Sequence, residues 1–179
     1  MTTLLLNKPF RVLSQFTDRE GRATLADYVD VPGVYAAGRL DYDSEGLLVL
    51  TDDRLLKARL ADPRHETPKT YLVQVEGRPT VPALTRLERG PHLKDGPTRP
   101  ARVKLLPSAP GWLWKRDPPV APRTGKTTAW LMITITEGRN RQIRRMTAAI
   151  GLPTLRLVRT TVGRFELNGL RPGEWKLVP

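Results

Sequence analysis

The chain has 179 residues, 39% of them apolar, and its 30 Lys and Arg against 18 Asp and Glu give a formal charge of +12. It has no cysteine, so disulfides, thiol catalysis and cysteine-ligated zinc are excluded. No stretch approaches the ~20 apolar residues that span a bilayer, and the run Thr3–Leu6 ends at Asn7-Lys8-Pro9 without the pattern of a secretory leader.

Leu4–Asn7 and Val12–Phe16 read as short strands around the Lys8-Pro9 turn, and Thr24 caps a short helix over Thr24–Val29. Val34–Asp41 and Gly46–Thr51 are strand-like, separated by the polar stretch Tyr42-Asp43-Ser44-Glu45. Asp53 caps a helix whose Leu55, Leu56 and Leu60 form an apolar stripe, ended by Pro63. Lys69–Glu76 alternates, with Tyr71, Val73 and Val75 on one face. Thr80 and Pro82 open a helix that stops at Gly90. Arg99–Leu106 and Thr128–Thr136 are further strands, and the proline-rich stretch from Pro107 to Gly125 between them is a long surface loop. Asn140 caps a helix from Arg141 to Ile150, stopped by Gly151 and Pro153. Thr154–Val162 and Trp175–Val178 close the chain as strands. The fold class is α+β, with a large, mainly antiparallel sheet and no internal repeat or separate linker-bound module.

The charge points to a polyanionic partner, most often nucleic acid. Arginines outnumber lysines 22 to 8, and a guanidinium is a flat fork suited to phosphates and base edges. His65 and His92 lie too far apart to form a metal pair on one helix, so no metal site is expected. The lack of cysteine and of membrane segments suits a reducing, cytoplasmic compartment.

Three segments carry chemistry. Gly38–Thr51 places Arg39-Leu40-Asp41 at a strand end, before a polar turn and a buried strand. A carboxylate at such an edge can be partly desolvated and aimed into a cleft, as a nucleophile or base requires; the plainer reading is a hairpin turn with solvated acids. Glu137–Met146 sets four arginines at a glycine-preceded helix start, where main-chain donors and the helix dipole favour phosphate. On that helix Ile143, Met146, Thr147 and Ile150 share a core face, Arg141 and Arg145 lie opposite, and Arg144 sits at the flank. Lys69-Thr70-Tyr71 supplies a strand tyrosine, which is either packing or a flat wall for an unstacked base. In the long loop, Trp112, Trp114, Lys115 and Arg116 either stack on RNA and hold phosphates, or the two rings pin the loop to the sheet.

Together these segments resemble the pseudouridine synthases of the RsuA type, over nearly the whole chain. Gly38–Thr51 is similar to that family's catalytic-aspartate motif, Lys69–Tyr71 to its tyrosine motif, Glu137–Met146 to its arginine motif, and Asn7-Lys8-Pro9 to its opening segment. Gln15-Phe16-Thr17-Asp18, Gly33–Gly38 and Trp112-Leu113-Trp114 are most similar to the RluE branch, which acts on 23S ribosomal RNA. The resemblance implies the pseudouridine synthase catalytic-domain fold: a bent, mainly antiparallel mixed sheet with flanking helices and a central cleft, here one domain over residues 1–179 with no room for an amino-terminal S4-like domain. It implies Asp41 as the catalytic carboxylate, Arg39 filling the gap left by a flipped nucleotide, and Tyr71 stacking on the target base. Ile143 then packs on that base and Arg144 pairs with the aspartate, while Lys8, Arg139 and Arg141 are expected on RNA phosphates. No cofactor is expected, and the working form is expected to be a monomer. Two departures stand out: Ser44 replaces a frequent threonine, and Asp52-Asp53-Arg54 replaces the usual Asn-Asp-Gly.

Whether the carboxylate attacks the sugar, attacks the base or removes a sugar proton stays open. Rival readings are a non-catalytic RNA-binding or ribosome-assembly protein, for which charge alone suffices, and a hydrolase using Asp41 and Asp43 as a carboxylate pair. A serine triad is weaker, since Ser14, Ser44 and Ser108 lack a nucleophile-elbow motif.

Overall fold

Apolar alternation and firm punctuation by Pro, Gly and capping residues yield eleven strands and three helices in a computed structural model that describes residues 1–121 and 125–179. In chain order these are β1 (Thr3–Lys8), β2 (Tyr35–Ala37), β3 (Glu45–Thr51), α1 (Arg54–Ala61), β4 (Lys69–Glu76), α2 (Val81–Arg89) and β5 (His92–Leu93). There follow β6 (Gly96–Pro97), β7 (Arg102–Leu106), β8 (Thr128–Ile135), α3 (Gln142–Ala149), β9 (Thr154–Val162), β10 (Phe165–Glu166) and β11 (Trp175–Leu177). The chain divides into two compact units, one of residues 1–67 with 158–179 and one of residues 68–157.

In the first unit β3 is the central strand, buried at all seven positions. One edge pairs antiparallel with β1 along its whole length, and β1 in turn pairs with β11. The other edge is shared: β9 pairs parallel at Glu45 and Gly46, and β2 pairs antiparallel from Val49 to Thr51. A strand enclosed on both faces needs an apolar run rather than alternation, which Leu47-Leu48-Val49-Leu50 supplies. Helix α1 starts where the Asp53 carboxylate accepts from the amides of Leu55 and Leu56. Its core side is Leu56 and Leu60, whereas Leu55 is 77% exposed, so the expected three-leucine stripe is narrower by one turn position.

Two expected elements of this unit are shorter than their patterns suggest. Val12–Phe16 makes no strand, only an isolated bridge between Leu13 and Thr24, because Arg11 takes a left-handed conformation at φ 62° and turns the chain. The strand expected over Val34–Asp41 stops at Ala37, since Gly38 adopts φ 78° and bends the backbone. Thr24 does cap, but the turn it caps is a 3₁₀ segment over Leu25–Asp27, closed by a reciprocal bond from the Thr24 amide to Asp27.

In the second unit β4, β8 and β7 form an antiparallel sheet, with Tyr71 opposite Ile133 and Arg102 opposite Thr134. Helix α2 is capped by Thr80, whose hydroxyl accepts from Ala83. Helix α3 buries Ile143, Met146 and Thr147, and Ile150 just beyond it is also buried, as the spacing predicts. Its cap differs from the expectation: Arg141, at φ 51°, stands at the cap position and no side chain caps the helix, so Asn140 does not. The hairpin β5–β6 is an element the sequence pattern does not announce: Leu93 pairs with Gly96, so its turn is Lys94-Asp95, which carries no glycine at its centre. Between β7 and β8 the described residues of the Pro107–Gly125 loop form neither strand nor helix; its Pro122–Thr124 portion lies outside the described residues.

Candidate active site

Asp41 follows β2 and opens a four-residue turn, closed by the Ser44 amide donating to Asp41 O at 3.1 Å. Asp41 is half-buried and Arg39 exposed. The segment around the carboxylate is fixed at its main chain. The Ser14 hydroxyl donates to Leu40 O at 2.6 Å and accepts from the Leu40 amide at 3.1 Å, so Ser14 is a backbone clamp rather than a nucleophile. The Arg11 amide donates to Tyr42 O at 2.8 Å. Arg159, 2% exposed, donates from Nε to Leu47 O and from Nη2 to Gly38 O, both at 2.9 Å. Leu47 lies in the gap between the part of β3 that pairs with β9 and the part that pairs with β2, so the guanidinium supplies donors there and ties both ends of the Asp41 segment. The main chain that carries the Asp41 carboxylate is thus ordered on both sides of it. Nothing in the sequence marked Arg159, because its role depends on two carbonyls more than 100 positions away.

The structure corrects the reading of Lys8. It is 0% exposed, and its Nζ donates to Pro9 O and Val12 O at 2.8 Å, so it does not present itself to phosphate. Burial pushes its pKa down from 10.5 to about 7, against the opposing pull of Glu45, Asp43 and Asp41, with Arg159 adding to the depression. An alternating strand pattern cannot tell an inward lysine from an outward one when both faces are covered.

A stability prediction follows. At pH below about 7 folded and unfolded chains both carry the Lys8 proton; between about 7 and 10.5 only the unfolded chain keeps it. Rising pH therefore favours the folded chain across that window. Urea unfolding of wild type and Lys8→Met from pH 7 to 9 should show wild type gaining on the variant by up to about 1.4 kcal/mol per pH unit. A difference that stays flat would show that Lys8 keeps its proton on folding.

The remaining expected site residues lie in the second unit. Tyr71 is 8% exposed on β4 and Ile143 3% exposed on α3, while Arg144 is half-buried at the flank of the same helix. Arg141 is exposed. Arg139 is committed elsewhere: it donates to Gly96 O and Pro97 O at 3.1 and 2.5 Å and pairs with Glu137 at 3.2 Å. Arg145, expected to be merely solvated, forms a two-pronged pair with Asp95 at 2.8 and 3.3 Å. Asp95 is held well below the usual carboxylate range by that Arg145 bond. The β5–β6 hairpin thus takes up two of the four arginines of the 137–146 segment. Among the described residues no cluster of His, Cys, Asp and Glu could hold a metal ion.

Residues 2–149 match the family described as RNA pseudouridylate synthase. The chain belongs to that family. Among curated relatives of this synthase, the "Ribosomal large subunit pseudouridine synthase E" of Vibrio vulnificus (strain CMCP6) is 59% identical over 173 residues, covering 97% of this chain and 73% of its own. The protein of the same name from Xanthomonas campestris pv. campestris is 60% identical over 176 residues, covering 97% and 94%. A solved structure titled "Crystal structure of pseudouridylate synthase" superposes with a TM-score of 0.81 at 29% identity, over 99% of this chain and 70% of that one. The α+β, mainly antiparallel architecture expected from the sequence is therefore the pseudouridine synthase fold.

Proposed function

We propose that this synthase isomerises a specific uridine of 23S ribosomal RNA to pseudouridine, with Asp41 as the essential carboxylate and no cofactor. The observation that carries the reading is the similarity, near 60% over almost the full chain, to relatives named for the large ribosomal subunit. The reaction breaks the N1–C1′ bond of the uridine, turns the uracil and joins C5 to C1′; the C5 hydrogen leaves as a proton and N1 ends with one. Nothing is oxidised and no water is consumed, so carboxylate chemistry on a preordered segment suffices. In this reading Asp41 does the covalent or proton-transfer work, Arg39 occupies the space the flipped nucleotide leaves, and Tyr71 and Ile143 wall the base. Arg144 supplies the counter-charge to the carboxylate. Exposed Arg141, at the start of α3, meets phosphate, and the protein works as a cytoplasmic monomer.

Purified protein with a 23S transcript, in buffer containing a chelator for divalent ions, tests it. One uridine should be converted. Conversion only with added metal, or only in transfer RNA, would refute the proposal, and tight binding without conversion would favour a non-catalytic assembly protein.

A further inference from the structure

The Pro107–Gly125 loop resolves its two tryptophans into different roles. Trp114 is half-buried and anchored: Arg156, itself 6% exposed, lies 5.8 Å from the Trp114 ring centre and donates to Trp114 O at 3.0 Å. Trp112 is 55% exposed, tilted 45° against Trp114 at 6.2 Å between ring centres. The loop beneath them is held by Arg116, which donates to Pro118 O, Pro119 O and Leu155 O at 2.9 to 3.4 Å, and by the Leu113 amide on Pro110 O at 3.1 Å.

A single exposed apolar side chain is ordinary on a protein surface. An indole held in place by a second indole, over a loop fixed by two arginines, is a different case, because its ordering cost is already met before anything binds. The surroundings select the occupant. Lys115, three residues after Trp112 in the chain, is exposed, and the net charge of +12 draws a polyanion. An exposed flat π-face on a basic protein is the kind of surface with which proteins hold unpaired bases of single-stranded nucleic acid.

We propose that Trp112 is a stacking platform for an unpaired base of the RNA substrate, separate from the target uridine, with Lys115 taking an adjacent phosphate and Trp114 and Arg156 holding the platform rigid. The proposal rests on the RNA-modifying reading above. It gives the loop a part in choosing the RNA rather than in the chemistry.

The test compares the full chain as wild type, Trp112→Ala and Trp112→Phe on a 23S transcript, reading KM, kcat and melting temperature. Losing one base–aromatic stack should raise KM of Trp112→Ala about tenfold, with kcat and melting temperature near wild type, and Trp112→Phe should recover most of the loss. An unchanged KM in Trp112→Ala, or a loss that Phe does not recover, overturns the proposal. So does a markedly lower melting temperature, which would make the ring a structural pin, or a defect confined to ribosomal particles and absent on naked RNA, which would assign the ring to a protein partner. A wild-type chain that forms no pseudouridine contradicts the underlying function and this subsite with it; a working wild type beside an indifferent Trp112→Ala removes the subsite alone.

Discussion

Asp41→Asn should abolish pseudouridine formation, by more than about 10³-fold in single turnover, while RNA affinity and melting temperature stay near wild type. The change is nearly isosteric, and the bonds that fix the surrounding segment, at Gly38, Leu40, Tyr42 and Leu47, all use main-chain atoms. Removing the charge therefore leaves these main-chain bonds in place. Asp41→Glu separates chemistry from placement: it keeps a carboxylate but moves it by one methylene, and misplacement of about 1 Å can cost about 10²-fold. Release of tritium from RNA labelled at uridine C5 measures both, because C5 exchanges its hydrogen for the bond to C1′ and loses it as a proton once that bond has formed. The expected order is wild type, then Asp41→Glu, then Asp41→Asn at background. An Asp41→Asn protein with near wild-type release would remove the carboxylate from the mechanism.

Gly46→Ala should be the most destabilising single methyl addition in the first unit. Gly46 sits in β3 at φ 106°, and an added Cβ would lie 2.2 Å from Arg159 O and 2.8 Å from Arg159 N. Backbone cannot yield as a side-chain tip can, so β9 must shift, and the left-handed conformation adds strain of its own. A loss of about 4 kcal/mol or more is expected by urea unfolding, in the range reserved for strain and core disruption. The displaced residue is the one whose guanidinium holds Gly38 O and Leu47 O, so the surviving folded protein should also turn over more slowly at unchanged Asp41. Gly46→Ala with wild-type stability would mean that the β3–β9 approach is looser than this geometry requires.

The elements legible in the sequence were those with strong local signals. Lys69–Glu76 and Thr154–Val162 appear as strands with the expected bounds, and Asp53 and Thr80 cap the helices their positions predict. Elements set by left-handed residues were not legible: Arg11 ends one expected strand and Arg141 replaces Asn140 at a helix cap, and arginine carries no signature for that conformation. Long-range side-chain commitments were equally hidden. Lys8 reads as a basic residue for RNA until its Nζ is found on Pro9 O and Val12 O, and Arg139 until its fork is found on the β5–β6 hairpin. The Asp41 segment is contiguous in the sequence, whereas the groups that clamp it, Ser14 and Arg159, come from 26 positions before Leu40 and 121 after Gly38.

On the proposed function, this chain places pseudouridine in large-subunit ribosomal RNA through Asp41. Chemical mapping of pseudouridine across all ribosomal RNA, in cells lacking the gene and in the same cells given either wild type or Asp41→Asn, tests it most directly. One position in 23S RNA should lose its pseudouridine on deletion, regain it with wild type and stay unmodified with Asp41→Asn. An unchanged 23S map on deletion, or restoration by Asp41→Asn, would contradict it.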